Sequence, residues 1–165
     1  MRTSILIATL CALATPVMAQ GIGESISVGE WMVRRVEDSS GGIQTCVAAQ
    51  VADDMSGVGF GATNRDKTFV MLIDQKGKWT PGQEYSLSYT IDSRKTTKTM
   101  ATATNPTTLI QVIGTVADGG PVFDVVQAGN AIQLDTAASV YDYPLAGSRT
   151  ALNALATCLG LAMGR

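Results

Sequence analysis

Glu84–Ile91, read as Glu-Tyr-Ser-Leu-Ser-Tyr-Thr-Ile, places Tyr85, Leu87, Tyr89 and Ile91 on one parity and Glu84, Ser86, Ser88 and Thr90 on the other. Successive side chains of an extended chain point to opposite faces, so this spacing predicts a strand with one dry and one wet face, as antiparallel sheets have. The pattern repeats outward in both directions. Downstream, residues 92–95 turn the chain, 97–104 read as a Thr-rich exposed strand, and Asn105 with Pro106 breaks it before a strand over 109–116. Upstream, residues 76–82 form a connection around Trp79, preceded by strands at 68–73 and 58–62, a longer one at 43–51 and a short one at 30–36.

Two helices interrupt the series. Pro121 at a first helical position and Gly129 just past the end predict a short one. After strands at 132–135 and 139–145, Ser148 stands where an N-cap belongs, ahead of Ala151, Leu152, Leu155, Cys158 and Leu159 on a single helical face. Many short strands at regular spacing predict a mainly β fold: an antiparallel β-sandwich or barrel with one short helix and a C-terminal helix packed on the sheet.

The N-terminus sets the compartment. Arg2, the apolar run 5–13, Pro16 and the small-residue site ending at Ala19 read as a secretory signal peptide over residues 1–19. Cys11 lies inside the apolar run behind Leu10, where lipid attachment would want a small residue. Residues 20–29, rich in Gly and Ser, read as a flexible leader, and 30–165 as a single β-rich domain. The apolar run is shorter than the roughly 20 residues a membrane helix requires, so no transmembrane segment is expected. The expected location is periplasmic or secreted.

Processing leaves Cys46 and Cys158, and an even count in an oxidising compartment is most simply one disulfide. The parity of residues 43–51 puts Cys46 opposite Ile43 and Val47, which predicts that the terminal helix meets this strand from outside the main core.

The chain of 165 residues contains no histidine, which removes Ser-His-Asp and Cys-His nucleophile activation and the usual imidazole ligands of catalytic zinc. A formal net charge of −2 without a large basic cluster argues against nucleic acid as a partner. Gly57, Gly59 and Gly61 imitate a phosphate loop but lack the following helix and Lys-Ser or Lys-Thr pair, so they read as strand or turn glycines. Ser148 has no lysine at the spacing a histidine-free nucleophile needs and reads as a cap. Asp53, Asp54 and Asp66 match no calcium loop and read as turn acids. Asp92, Asp124 and Asp142 would serve acid–base hydrolysis only if two of them converged. Arg94, Lys95 and Lys98 form the one local basic patch, read either as a contact for an acidic partner or lipopolysaccharide or as a solvated hairpin that discourages edge pairing. Trp79, flanked by Lys78 and Pro81, is the recognition-capable aromatic on a connecting segment.

Trp31 and Val33 opening a strand, Cys46 in the next, Trp79 and Gly82 before Tyr85, and the series Leu145, Gly147, Ser148, Ala151, Leu152 and Leu155 form a layout. That layout resembles a group of small exported proteins of alphaproteobacteria that includes the invasion-associated locus B proteins. The resemblance implies a periplasmic or surface β-domain with a role in host contact, and supplies no catalytic residues. The expected function is non-enzymatic contact with a protein or cell-envelope component, without cofactor or metal, through Trp79, Arg94, Lys95 and Lys98. The alternatives are inhibition of a secreted hydrolase through residues 76–82 and a carboxylate-dependent hydrolase.

Overall fold

The computed structural model describes residues 22–37, 43–93 and 96–160. The signal peptide expected over 1–19 lies outside the described residues. Ten strands run β1 (Ile22–Val28), β2 (Trp31–Glu37), β3 (Ile43–Val51), β4 (Ser56–Thr63), β5 (Thr68–Asp74), β6 (Glu84–Ile91), β7 (Thr97–Asn105), β8 (Thr108–Gly114), β9 (Ala131–Thr136) and β10 (Val140–Pro144). Helix α1 (Val116–Ala128) separates β8 from β9, and α2 (Ser148–Cys158) follows β10. All strands join one antiparallel sheet in the order β1-β2-β3-β4-β5-β8-β7-β6-β9-β10. The fold is therefore mainly β, with both helices packed on the sheet.

The inner face of this sheet is the core. Leu87, Tyr89 and Ile91 turn inward, as their alternation predicts, and join Trp31, Phe60, Leu72, Leu109, Leu134 and Leu152 in one buried cluster, with Tyr85 half-buried against it. The sheet curls, so β10 comes over β4. Tyr141 Oη donates to Asp74 Oδ2 at 2.8 Å, tying β10 to the end of β5. Helix α2 lies on β2, β3 and β4, and α1 lies on β5 and β8 and against α2. The buried indole of Trp31 donates to Ala146 O at 2.9 Å, which fixes the approach to α2.

Four local expectations are corrected. The flexible leader expected over 20–29 carries β1 instead; Gly29, at φ +59, makes the tight turn that lays it on β2. Residues 20 and 21 lie outside the described residues. Helix α1 starts at Val116 rather than Pro121, because Thr115 and Asp118 form a reciprocal capping box and Gly119 lets the first turn close onto Thr68 of β5. Ser148 is not the cap of α2: Gly147, at φ +83, occupies that position, and the buried Ser148 hydroxyl donates to Val126 O of α1 at 3.0 Å.

The fourth correction concerns the faces of β3. Cys46 and Ala48 are fully buried on the inner face under α2, while Val47 and Val51 belong to the outer face. Alternation holds, but the covered face is the one that also carries the buried Gln50, while Val47 and Val51, the more apolar side, face outward. Cys46 and Cys158 are joined by a disulfide with a Cα–Cα separation of 6.2 Å. The bond crosses the helix–sheet interface inside the core rather than outside it.

Candidate functional site

The end of the sheet at residues 76–86 carries a pocket. The Trp79 side chain is half-buried against the core, its backbone N–H donates to Pro106 O at 3.1 Å, and its ring lies 6.5 Å from that of Tyr85 at 57°. Tyr85 Oη accepts from the Thr80 N–H at 2.9 Å, and Gly82, at φ +83, turns the chain into β6. These bonds fix a loop that would otherwise be free. Trp79 and Tyr85 form two walls of a cavity of about 400 Å³, closed opposite by Thr136, Ala137 and Ala138 in the β9–β10 hairpin, with Lys78 at its lip. That size falls within the range of small-molecule and side-chain pockets.

A second feature lies on the outer face. An antiparallel sheet normally keeps its uncovered face polar. Here the paired row Met32–Ala49–Gly59–Met71–Ile110 crosses β2, β3, β4, β5 and β8 without a polar side chain. Above it runs Arg34–Val47–Gly61–Phe69–Val112, and below it Val51–Gly57–Ile73–Thr108. Met32, Val51 and Val112 are 45%, 57% and 58% exposed. Gly57, Gly59 and Gly61 are strand glycines, as their sequence context suggests, and they have a structural purpose. The Phe69 ring lies across Gly61 and the Met71 methyl stands over Gly59, where an added Cβ would meet it at 2.7 Å. The result is a shallow groove of about 470 Å³ with Glu30 and Arg34 on its rim. Among the described residues nothing covers it.

The acids do other work. Asp54 Oδ1 accepts from the Ser56 hydroxyl at 2.6 Å and the Ser56 N–H at 2.9 Å, which holds its carboxyl below the ordinary value. Asp66 accepts from the Val116 N–H at 3.0 Å, tying the β4–β5 turn to the start of α1. Among the described residues no three His, Cys, Asp or Glu side chains gather as metal ligands would, Asp53, Asp54 and Asp66 included. Asp92 and Asp142 both border a shallow depression of about 140 Å³, while Asp124 sits exposed on α1 away from it. Asp92 accepts from the N–H groups of Asn130 and Ala131 at 2.9 and 3.0 Å and from Asn130 Nδ2 at 3.2 Å. Asp142 accepts from Gln133 Nε2 at 3.0 Å. Both carboxylates are thus engaged in holding β6, β9 and β10 together.

Of the expected contact residues, Trp79 builds the pocket. Lys98 is exposed on β7 opposite Ser88, one same-face position along the strand from the Met100–Ser86 pair whose Ser86 lines that pocket. Arg94 and Lys95 lie outside the described residues. The outer-face residues Met32, Val51, Met71 and Ile73 escaped the sequence reading. The signal available was the apolar parity Val47, Ala49 and Val51 in β3, which alternation alone assigns to the core, and the glycine spacing in β4, over which Phe69 and Met71 fold.

No family model and no curated protein matches this chain. Invasion associated protein B from Bartonella henselae, a crystal structure, superposes with a TM-score of 0.41 at 13% sequence identity, over 82% of this chain and 97% of its own. This is a loose structural resemblance, from which nothing about the role of this chain is taken.

Proposed function

We propose that the chain is exported and works in the periplasm or outside the cell as a non-enzymatic β-domain. It makes contact with a protein or envelope component by seating an apolar or aromatic group between Trp79 and Tyr85. The pocket of about 400 Å³ carries this reading, since its aromatic walls are held in place by backbone hydrogen bonds before any partner arrives. Lys78 at the lip and Lys98 on the neighbouring strand favour a partner with acidic groups beside its apolar anchor. The apolar run near the N-terminus and a disulfide spanning the domain support export. Among the described residues no helix is long and apolar enough to cross a membrane.

The inward-turned indole weighs against the inhibitor alternative, which requires Trp79 to project from its loop. Asp92 and Asp142 border the same depression, but both Asp92 oxygens are taken up by Asn130 and Ala131, which favours a structural role for that carboxylate over hydrolysis. A photo-crosslinking side chain at Ala137, introduced into the chain expressed in its native envelope, tests the proposal. The expected result is one dominant adduct that disappears with Trp79→Ala and with Ala138→Trp, which fills the pocket while keeping the aromatic pair. No adduct, or an adduct indifferent to both changes, overturns it. The identity of the adduct distinguishes the cell's own envelope from a host surface.

A further inference from the structure

The outer face is a separate surface from the Trp79 pocket, and its pattern names an occupant. Met32 and Arg34 point outward at successive same-face positions of β2, and Glu30, in the turn just before the strand, borders the same groove, so an acid and a base flank an exposed methionine. Neither Glu30 nor Arg34 forms an ion pair among the described residues, where the one ion pair is Arg35 with Glu37. We infer that this face is the interface of a two-fold homodimer in which a second copy of the chain covers the groove.

The geometry follows from the register. A two-fold axis lying between the two faces and running along the Met32–Ala49–Gly59–Met71 row reverses each strand about that row. Glu30 then meets the partner copy's Arg34, and Arg34 meets its Glu30, two ion pairs from one pair of residues. Met32 packs on its own counterpart, and Val51 faces the counterpart of Val47, because the row below is carried onto the row above. With no side chain at Gly57, Gly59 and Gly61, β4 adds no height of its own to this face, which suits the aligned packing of sheets about 10 Å apart. Met32, at the β2 end of the row, adapts to its neighbour, as flexible thioether side chains do. An acid and a base on either side of the axis residue make this surface complementary in charge to a copy of itself turned about that axis.

Sedimentation of the protein purified after export of the full chain tests this. The expected result is a dimer with a dissociation constant below about 10 µM. Arg34→Glu places two acids against two acids and Glu30→Arg two bases against two bases, so each is expected to weaken dimerisation by at least about tenfold. The double variant Glu30→Arg/Arg34→Glu restores it, and mixing the two single variants yields a heterodimer tighter than either alone. Circular dichroism and an intact Cys46–Cys158 bond confirm that each variant is folded. A wild-type protein that stays monomeric to about 100 µM overturns the inference. So does a dimer indifferent to both charge reversals, or a monomer whose groove binds phospholipid vesicles or an added peptide in a manner abolished by Met32→Asp. None of these outcomes touches the adduct at Ala137, so the two surfaces stand or fall independently.

Discussion

Asp118 receives the Thr115 N–H and the Thr115 hydroxyl, both at 2.8 Å, and these bonds hold its carboxyl below the ordinary value of 3.8. In the unfolded chain the bonds are gone, so the folded state binds fewer protons in this range. Stabilisation is present above about pH 4 and is lost as pH falls through the lowered folded value. Asp118→Asn is therefore expected to lower the urea midpoint at neutral pH, with the gap to wild type closing below about pH 4. Asp54, held down first by the Ser56 hydroxyl, behaves in the same sense. Tyr143 acts at the other end of the scale: burial pushes its phenol from the ordinary 10.0 up to about 12. The unfolded chain ionises first, so stabilisation is complete below about pH 10 and is lost between there and about 12. Tyr143 Oη is buried without a hydrogen-bond partner among the described residues. Tyr143→Phe is thus expected to change neutral-pH stability by no more than about 1 kcal/mol while flattening the loss seen in thermal melts above pH 10. Some alkaline slope will remain, because burial and the bond to Asp74 raise the Tyr141 phenol as well.

Helix α1 shows how two adjacent glycines can have opposite purposes. A Cβ on Gly119 would run into the Thr68 side chain on β5, whereas one on Gly120 would meet nothing within 4 Å. Gly119→Ala is expected to cost about 1–3 kcal/mol by overpacking, and Gly120→Ala to gain about 0.5–1 kcal/mol by restricting the unfolded chain and raising helix propensity. Chemical denaturation of the two variants checks both signs. The same pair explains why the start of α1 was misread. Gly119, Gly120 and Pro121 together imitate a turn, and the capping signal in Thr115 and Asp118 lies behind them. Elements with unequal parities were legible, β6 above all. In β3 the more apolar parity, with Val47, Ala49 and Val51, faces outward, so alternation shows which residues share a face but not which face is covered; the helix decides that. In β1, Glu24, Ser25 and Ser27 gave no apolar stripe to read, yet an edge strand requires only a turn and one neighbour.

Most strand neighbours in the sheet are also neighbours in the chain; the exceptions are β5 with β8 and β6 with β9. That local wiring is what made the β class readable from spacing alone. The curl was not, because it depends on contacts between distant segments, such as Tyr141 with Asp74 at a separation of 67 residues. The Trp79 pocket was half legible for the same reason: the loop and its aromatic stand out, but its far wall comes from Ala137 and Ala138. The disulfide spans 112 residues of sequence, and in the chain-entropy treatment a loop of this size contributes about 4–5 kcal/mol. Replacing Cys46 and Cys158 together by alanine is expected to cost about 3–5 kcal/mol, seen as a lower urea midpoint that added reductant no longer shifts. A further consequence concerns damage. The exposed turn at 64–67 falls between the bridged residues, so a protease that nicks it frees no fragment. The severed pieces remain a single molecule, sharing one sheet and one covalent tie, and come apart only where thiols are kept reduced.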